Sequence, residues 1–117
     1  MFLSEPSAPL TIIYSRSPNM NFNLEEKTLT LFLEGELNSY NAEDIEKEID
    51  SILEGKEIER VVLDMEKLRY ISSAGLRIVV RLKKLYDDTR IIKAQEAVYE
   101  VFDMVGFTDL MSVEKLS

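Results

Sequence analysis

The chain has 117 residues, 45% of them apolar, so it is large enough to bury one hydrophobic core and small enough to form a single domain. Its net charge of −8 argues against nucleic acid and anionic membranes as partners, because affinity for polyanions comes largely from lysine and arginine. It contains no cysteine and no histidine, which excludes thiol nucleophiles, imidazole bases and ordinary zinc sites.

The first 19 residues carry all three prolines of the chain. They are interpreted as a flexible N-terminal arm or as an extra edge strand around Leu10–Tyr14, with Met20 as an alternative start of the chain. The arm lacks the apolar core of a secretory signal, and no other apolar run approaches the ~18 residues that span a bilayer. Together with the absence of cysteine, this predicts a cytoplasmic protein.

A β-hairpin is predicted at the start of the main domain, residues 20–117. Asn21–Leu24 forms the first strand, Glu25–Lys27 the turn, and Thr28–Glu34 the second strand, in which leucines alternate with other residues. A helix capped by Asn41 follows and ends at Gly55. Its apolar face consists of Ala42, Ile45, Ile49, Ile52 and Leu53.

The rest of the chain alternates between strands and helices. A central strand at Arg60–Met65 leads through a loop to a helix from Ser72 or Ser73 to about Tyr86, and a further strand, helix and strand follow at Arg90–Ala94, Glu96–Val105 and Met111–Val113. The predicted inward residues of the two later helices are Leu76, Val79, Val80, Leu82, Leu85, Val98, Val101, Phe102 and Val105. The order β-β-α-β-α-β-α-β predicts a single α/β domain with a mixed, mostly parallel sheet and an N-terminal hairpin.

The beginning of the second helix carries two adjacent hydroxyl groups, on Ser72 and Ser73. Unpaired backbone N–H groups and a partial positive charge at a helix start stabilise an oxygen acceptor or a phosphate there. A phosphate on a first-turn serine would also add nearly two negative charges to the surface, which suits a reversible switch. Spacing alone favours a structural role, with Ser72 as the N-cap, Ser73 as a small first residue of the helix and Gly75 allowing close packing.

Three motifs in order resemble the STAS domain family, the bacterial anti-sigma-factor antagonists. The helix start YISSAGLRIVV resembles the family's hallmark, LFLEGELNSYNAEDIEKEI resembles its strand, turn and first helix, and VYEVFDMVGF resembles its last helix. The similarity runs from about Met20 to Leu116. It implies a STAS-like fold with no cofactor and no catalytic or metal site.

The resemblance also implies a partner switch. The unphosphorylated protein would bind an anti-sigma factor with serine kinase activity and so release a sigma factor. Phosphorylation would break the complex, and a serine phosphatase would restore it. The acceptor position falls on Ser73, with Ser72 as the alternative. The implied docking residues are Asn38, Ser39, Tyr40, Ser72, Ser73, Ala74, Gly75, Leu76 and Arg77.

Three positions depart from the family pattern. Ser72 stands where phosphorylated members often have Asp, Asn38 is neutral where the turn is usually acidic, and Ala74 replaces a second hydroxyl residue. The two lost carboxylates would have repelled a nearby phosphate, so these changes do not oppose phosphorylation of Ser73. What these three changes affect is whether a particular kinase would recognise the site.

Other residues suggest other functions. Asp64 at the end of a central strand invites comparison with phosphoaspartate receivers or a Mg²⁺-dependent phosphoryl hydrolase, but the acidic pair that would hold Mg²⁺ is missing. Tyr40, Tyr70 and Tyr86 are expected to be half-buried packing or rim residues, and the first two could anchor a partner. A second interaction function is a STAS scaffold without phosphorylation, serving a sensor complex or binding a small ligand.

Overall fold

A computed structural model of the protein describes residues 12–17 and 19–117, including the side chains of residues 19–117. The elements in chain order are β1 (Ile12–Ser17), β2 (Met20–Glu25), β3 (Thr28–Leu37), α1 (Ala42–Leu53), β4 (Arg60–Ile71), α2 (Ser73–Leu85), β5 (Asp88–Ala94), α3 (Glu96–Met104), a 3₁₀ turn (Phe107–Asp109) and β6 (Ser112–Lys115).

The six strands form one mixed sheet in the order β1-β2-β3-β4-β5-β6. β1, β2 and β3 are joined antiparallel, and β3, β4, β5 and β6 are joined parallel. From β2 onward the order is β-β-α-β-α-β-α-β, which confirms the predicted fold. The predicted N-terminal arm falls largely on residues 1–11 and 18, which lie outside the described residues; β1, within the same stretch, pairs with β2.

One hydrophobic cluster joins the buried faces of the sheet and all three helices. In β3 the alternating residues Leu29, Leu31 and Leu33 are at most 4% exposed, whereas the residues between them are half-buried. This pattern is typical of a sheet with one fully covered face. All five residues predicted for the apolar face of α1 are buried, and Gly55 follows the helix end with a positive φ of 73°.

Strand β4 corrects one prediction. The strand does not end at Met65 but extends to Ile71, which makes it 12 residues long and leaves Ser72 alone between strand and helix. Its second half is polar enough to look like a loop in sequence, yet Leu68 and Ile71 are buried and the segment pairs with Glu34–Leu37 of β3. Two register shifts in that pairing hide the strand's regular alternation.

The ends of two helices also differ from the prediction. Leu85 and Val105 were predicted to face the core but are 57% and 49% exposed. Leu76, Val80 and Val101 are only half-buried, while Ile78, absent from the predicted inward set, is 4% exposed. Helical periodicity identifies a face, but it does not show how much of that face the sheet covers, and Val105 lies just after the end of α3.

An ion cluster ties β4 to β5 at the end of the sheet where both strands begin. Asp88 contacts Arg60 Nε at 2.9 Å and Arg90 Nε at 2.8 Å. Hydrogen bonds from Arg90 and Arg60 hold the pKa of the Asp88 carboxyl below its usual value. Within the described part of the chain, no helix is long and apolar enough to cross a membrane.

Candidate functional site

The sheet brings the two predicted site segments together. β3 and β4 run parallel, with Leu37 opposite Ile71 at their carboxyl ends, and the backbone N–H of Ser72 donates to the Leu37 carbonyl at 2.8 Å. Asn38 directly follows β3, and Ser72 and then Ser73 follow β4. The Asn38–Tyr40 turn and the start of α2 are therefore neighbours because the strands that precede them are paired.

The two candidate serines have different environments. Ser72 is the N-cap of α2: its backbone is extended (φ −95°, ψ 175°), its Oγ accepts from the Gly75 N–H at 3.3 Å, and its carbonyl accepts from the Leu76 N–H. Ser73 is the first helical residue and is exposed. Among the described residues, its hydroxyl has no hydrogen-bond partner. Of the two hydroxyls, the one on Ser73 is the more accessible to a kinase.

Gly75 allows the start of α2 to approach the sheet closely. A Cβ at this position would lie 2.7 Å from Leu37 Cγ and 2.8 Å from Ile71 Cγ1, closer than carbon atoms pack. Both neighbours are themselves buried, at 1% and 4% exposure. The glycine therefore has a structural role in setting the position of Ser72 and Ser73 relative to the strand ends.

A network of asparagine hydrogen bonds holds the turn after β3. Asn38 Oδ1 accepts from the backbone N–H groups of Tyr40 at 2.9 Å and Asn41 at 3.0 Å. In return, Asn41 Oδ1 accepts from the Asn38 N–H at 2.9 Å, and Asn41 Nδ2 donates to the Glu36 carbonyl. Asn41 occupies the N-cap position of α1 but makes no side-chain cap bond, so the prediction that it caps the helix is wrong in this respect.

We expect Asn38→Ala to lower the free energy of unfolding by about 1 to 2 kcal/mol, because two backbone N–H groups lose their acceptor at the start of α1. Urea denaturation followed by circular dichroism would measure this change. Asn38→Asp keeps an acceptor oxygen and is the matched control, with a smaller loss expected from repulsion by Glu36, whose Oε1 accepts from Asn38 Nδ2. Equal losses in the two variants would contradict the role given to Oδ1.

The surface around the turn and the helix start is open. Tyr40 is 92% exposed, so the expectation of a half-buried side chain is wrong for it, while Tyr70 is 49% exposed and Tyr86 is half-buried. Ser39 and Arg77 are exposed, and Ala74 and Leu76 are half-buried. An exposed tyrosine beside small and apolar residues is a common feature of protein-binding surfaces.

A groove between α1 and α2 adjoins this surface, and the sequence did not predict it. It has a volume of about 590 Å³, and its lining includes Ser39, Glu43, Ala74, Arg77, Arg81 and Lys84. Arg81 links the two helices, since its Nε lies 2.7 Å from Glu46 Oε2 and its Nη2 contacts Asp50. The contact between helices distant in sequence is what forms the groove, and no local pattern in either helix indicates it.

Asp64 does not lie where the sequence suggested. It is inside β4, opposite Phe32 and Ile92, rather than at the strand's carboxyl end. The residue is 7% exposed, its Oδ1 accepts from the Glu66 N–H at 3.0 Å, and its Oδ2 lies 3.8 Å from Lys93 Nζ. Asp64 is therefore a buried and partnered carboxylate. Within residues 19–117, no group of three or more acidic side chains is placed to hold a metal ion.

Comparisons with known proteins agree with this geometry. The model of the STAS domain family matches residues 19–116. The chain is 39% identical over 85 residues to a protein of Bordetella bronchiseptica named as a putative anti-sigma factor antagonist, BtrV; the match covers 69% of this chain and 72% of that one.

Solved structures match in fold. The anti-sigma factor antagonist SpoIIAA in its unphosphorylated form superposes with a TM-score of 0.65 at 18% identity, covering 89% of this chain and 86% of the other. The phosphorylated form of SpoIIAA from Bacillus superposes with a TM-score of 0.59 at 17% identity, covering 89% of each chain. At these identities the structural matches establish the fold alone.

Proposed function

Because this chain belongs to the STAS domain family, we propose that it acts as an anti-sigma-factor antagonist, a module that binds a protein partner and carries out no chemistry of its own. In this proposal the unmodified protein binds an anti-sigma factor with serine kinase activity and so frees a sigma factor. The named function of the relative from Bordetella bronchiseptica supports the general role.

The switch in this proposal is phosphorylation of Ser73. The kinase partner transfers the γ-phosphoryl group of ATP to Ser73 Oγ; the bond from that phosphorus to the bridging oxygen breaks, ADP leaves, and the hydroxyl proton passes to the kinase or solvent. A serine phosphatase reverses the modification with water as the nucleophile. The existence of a phosphorylated form of SpoIIAA, a protein of the same fold, supports a phosphorylated state for this chain.

One observation carries the choice of residue. Ser73 is exposed at the first position of α2, whereas the neighbouring Ser72 Oγ accepts a hydrogen bond from the Gly75 N–H. A hydroxyl must be reachable by a kinase active site, and a capping hydroxyl is held in place by its bond to the helix start, whereas the Ser73 hydroxyl can rotate to meet a kinase. Ser73 is thus the favoured acceptor, and Ser72 is the alternative.

The docking surface in this proposal comprises the Asn38–Tyr40 turn and residues 72–77 at the start of α2. Tyr40 supplies an exposed aromatic side chain, and Leu76 and Ala74 supply half-buried apolar area. Interfaces of this kind depend on a few aromatic anchors surrounded by contacts that exclude water. A phosphate on Ser73 would stand in the middle of this surface, where its charge and hydration oppose docking.

Incubation with ATP and candidate anti-sigma kinases from the same organism, followed by mass spectrometry, tests the proposal. We expect one added phosphate on the wild-type protein and none on Ser73→Ala, because the remaining nearby hydroxyl is engaged as the helix cap. Ser72→Ala is the matched control and should still be modified. A phosphate that persists in Ser73→Ala would move the site to Ser72.

A specific observation favours a second function, that of a sensor module without phosphorylation. The groove between α1 and α2 is large enough for a small ligand and carries both cationic and acidic side chains, among them Arg77 and Glu43. Thermal melting against a panel of small anionic metabolites would test this function. A ligand-dependent stabilisation that Arg77→Gln removes and Glu43→Gln retains would support it, and no stabilisation by any metabolite would count against it.

A further inference from the structure

The cations of α2 differ in how they are already engaged. Arg81 contacts Glu46 and Asp50, and Lys83 contacts the carbonyl and the carboxylate of Asp87. Arg77 and Lys84 make no ion pair with any residue of the described part of the chain. Of these two, only Arg77 belongs to the first turns of the helix, next to the proposed modification site.

Arg77 is positioned to reach Ser73. The two residues are separated by four positions in one helix, and both are exposed. Side chains four apart lie about 5 to 6 Å from each other at Cβ. Long side chains in a helix also lean toward its N-terminus, over the residue four positions earlier. By this general rule the guanidinium of Arg77, which lines the groove between α1 and α2, lies within reach of a group on Ser73.

Acidic side chains near Arg77 are already engaged with other cations. Glu43 and Glu46 line the same groove, but Glu43 Oε2 lies 3.8 Å from Lys47 Nζ and Glu46 Oε2 lies 2.7 Å from Arg81 Nε. Glu36, near the end of β3, is engaged by an amide instead, since it accepts from Asn38 Nδ2. A phosphate on Ser73 would meet less competition for Arg77 than for any of the engaged cations.

From this arrangement we propose that Arg77 is the intramolecular partner of a phosphate on Ser73. An arginine guanidinium can donate two parallel hydrogen bonds to phosphate oxygens, a geometry that lysine lacks. This inference rests on the proposed phosphorylation of Ser73 and assigns it a second effect. Besides adding negative charge, the phosphate withdraws the exposed cation of Arg77 from the docking surface.

The pairing is tested on a protein with phosphoserine introduced at position 73 during translation, so that no kinase is needed. The second ionisation of the phosphate, normally near pH 6, is followed by ³¹P NMR. We expect its midpoint to be about 0.3 to 0.5 pH unit lower in the wild-type background than in Arg77→Gln, because the cation favours the dianion. Arg77→Lys should give an intermediate midpoint.

Lys84→Gln is the matched control, since it removes one unpaired cation from the same helix at a greater distance from Ser73. Its midpoint should equal that of the wild-type background. Equal midpoints for wild type and Arg77→Gln, or equal shifts in Arg77→Gln and Lys84→Gln, would overturn the inference. The pairing can be found even if no kinase modifies Ser73, and a kinase can modify Ser73 without it, so the two failures are distinguishable.

Discussion

Replacing Gly75 with valine should lower the free energy of unfolding by about 3 kcal/mol or more, the largest stability loss expected at the candidate site. The first added carbon would already lie 2.7 Å from Leu37 Cγ and 2.8 Å from Ile71 Cγ1. Those atoms are not the free ends of flexible side chains, and both residues are packed into the core. Helix and strands must therefore move apart, and urea denaturation followed by circular dichroism would measure the loss.

Two further variants separate overpacking from helix propensity. Gly75→Ala makes the same first contact, but alanine favours a helix over glycine by about 1 kcal/mol, so a smaller net loss is expected. Ala97→Val, at an exposed position of α3, introduces the same β-branched residue without a contact with the core. It should lower the free energy of unfolding by only about a few tenths of a kcal/mol. A free energy of unfolding for Gly75→Val within about 1 kcal/mol of the wild-type value would contradict this prediction, because it would mean that Leu37 and Ile71 can move aside.

The sequence predicted the fold well where a single period dominates a segment. Leucines alternate through β3, and apolar residues recur at helical spacing through α1, so each segment has one face that must be buried. The order of strands and helices then leaves few ways to build the sheet. The sequence predicts too early an end for β4 because the second half of the strand mixes Glu66, Lys67 and Arg69 with isolated apolar residues. Only its pairing with β3 identifies this half as a strand.

The sequence indicates which residues form the candidate site but not the contacts between them. The adjacent serines and Gly75 mark the helix start in sequence, and the resemblance added the Asn38 turn. Which hydroxyl caps the helix depends on backbone geometry, and Ser72 takes that role because its backbone is extended while Ser73 is already helical. The exchange of hydrogen bonds between Asn38 and Asn41 depends in the same way on the conformation of the turn.

The groove and its charges lie beyond what local patterns can indicate. Arg81 has the spacing of an outward cation on α2, and Glu46 and Asp50 have the spacing of outward acids on α1. These three side chains form ion pairs between the helices only because α1 packs against α2. The same packing gives Arg77 no acidic partner among the described residues. Long-range pairing of charges is set by tertiary structure, because exposed ion pairs are too weak to determine it.

A phosphate on Ser73 should weaken binding to the anti-sigma factor by about 100-fold or more, which corresponds to about 2.7 kcal/mol. The modification places nearly two negative charges on a surface that must lose water when the partner docks. Around it, the exposed Tyr40 and the half-buried Ala74 and Leu76 carry no charge, and the single guanidinium of Arg77 offsets only part of the added charge. Isothermal titration calorimetry with the unmodified protein and with phosphoserine at position 73 would measure the difference.

Matched variants separate the position of the charge from the charge itself. Phosphoserine at position 112 adds the same charge on β6, where residue 112 is exposed and pairs with Arg90 near the beginning of β5. This position lies at the other end of the sheet from Ser73, so the affinity for the anti-sigma factor should stay within about threefold of that of the unmodified protein. Ser73→Ala should also bind like wild type, and Ser73→Asp, with one charge on a shorter side chain, should lose about tenfold. Equal affinity for the unmodified and Ser73-phosphorylated proteins would refute the switch and favour a scaffold that binds its partner regardless of modification. An equal loss from position 112 would mean that net charge, rather than the surface formed by the Asn38–Tyr40 turn and the start of α2, governs binding.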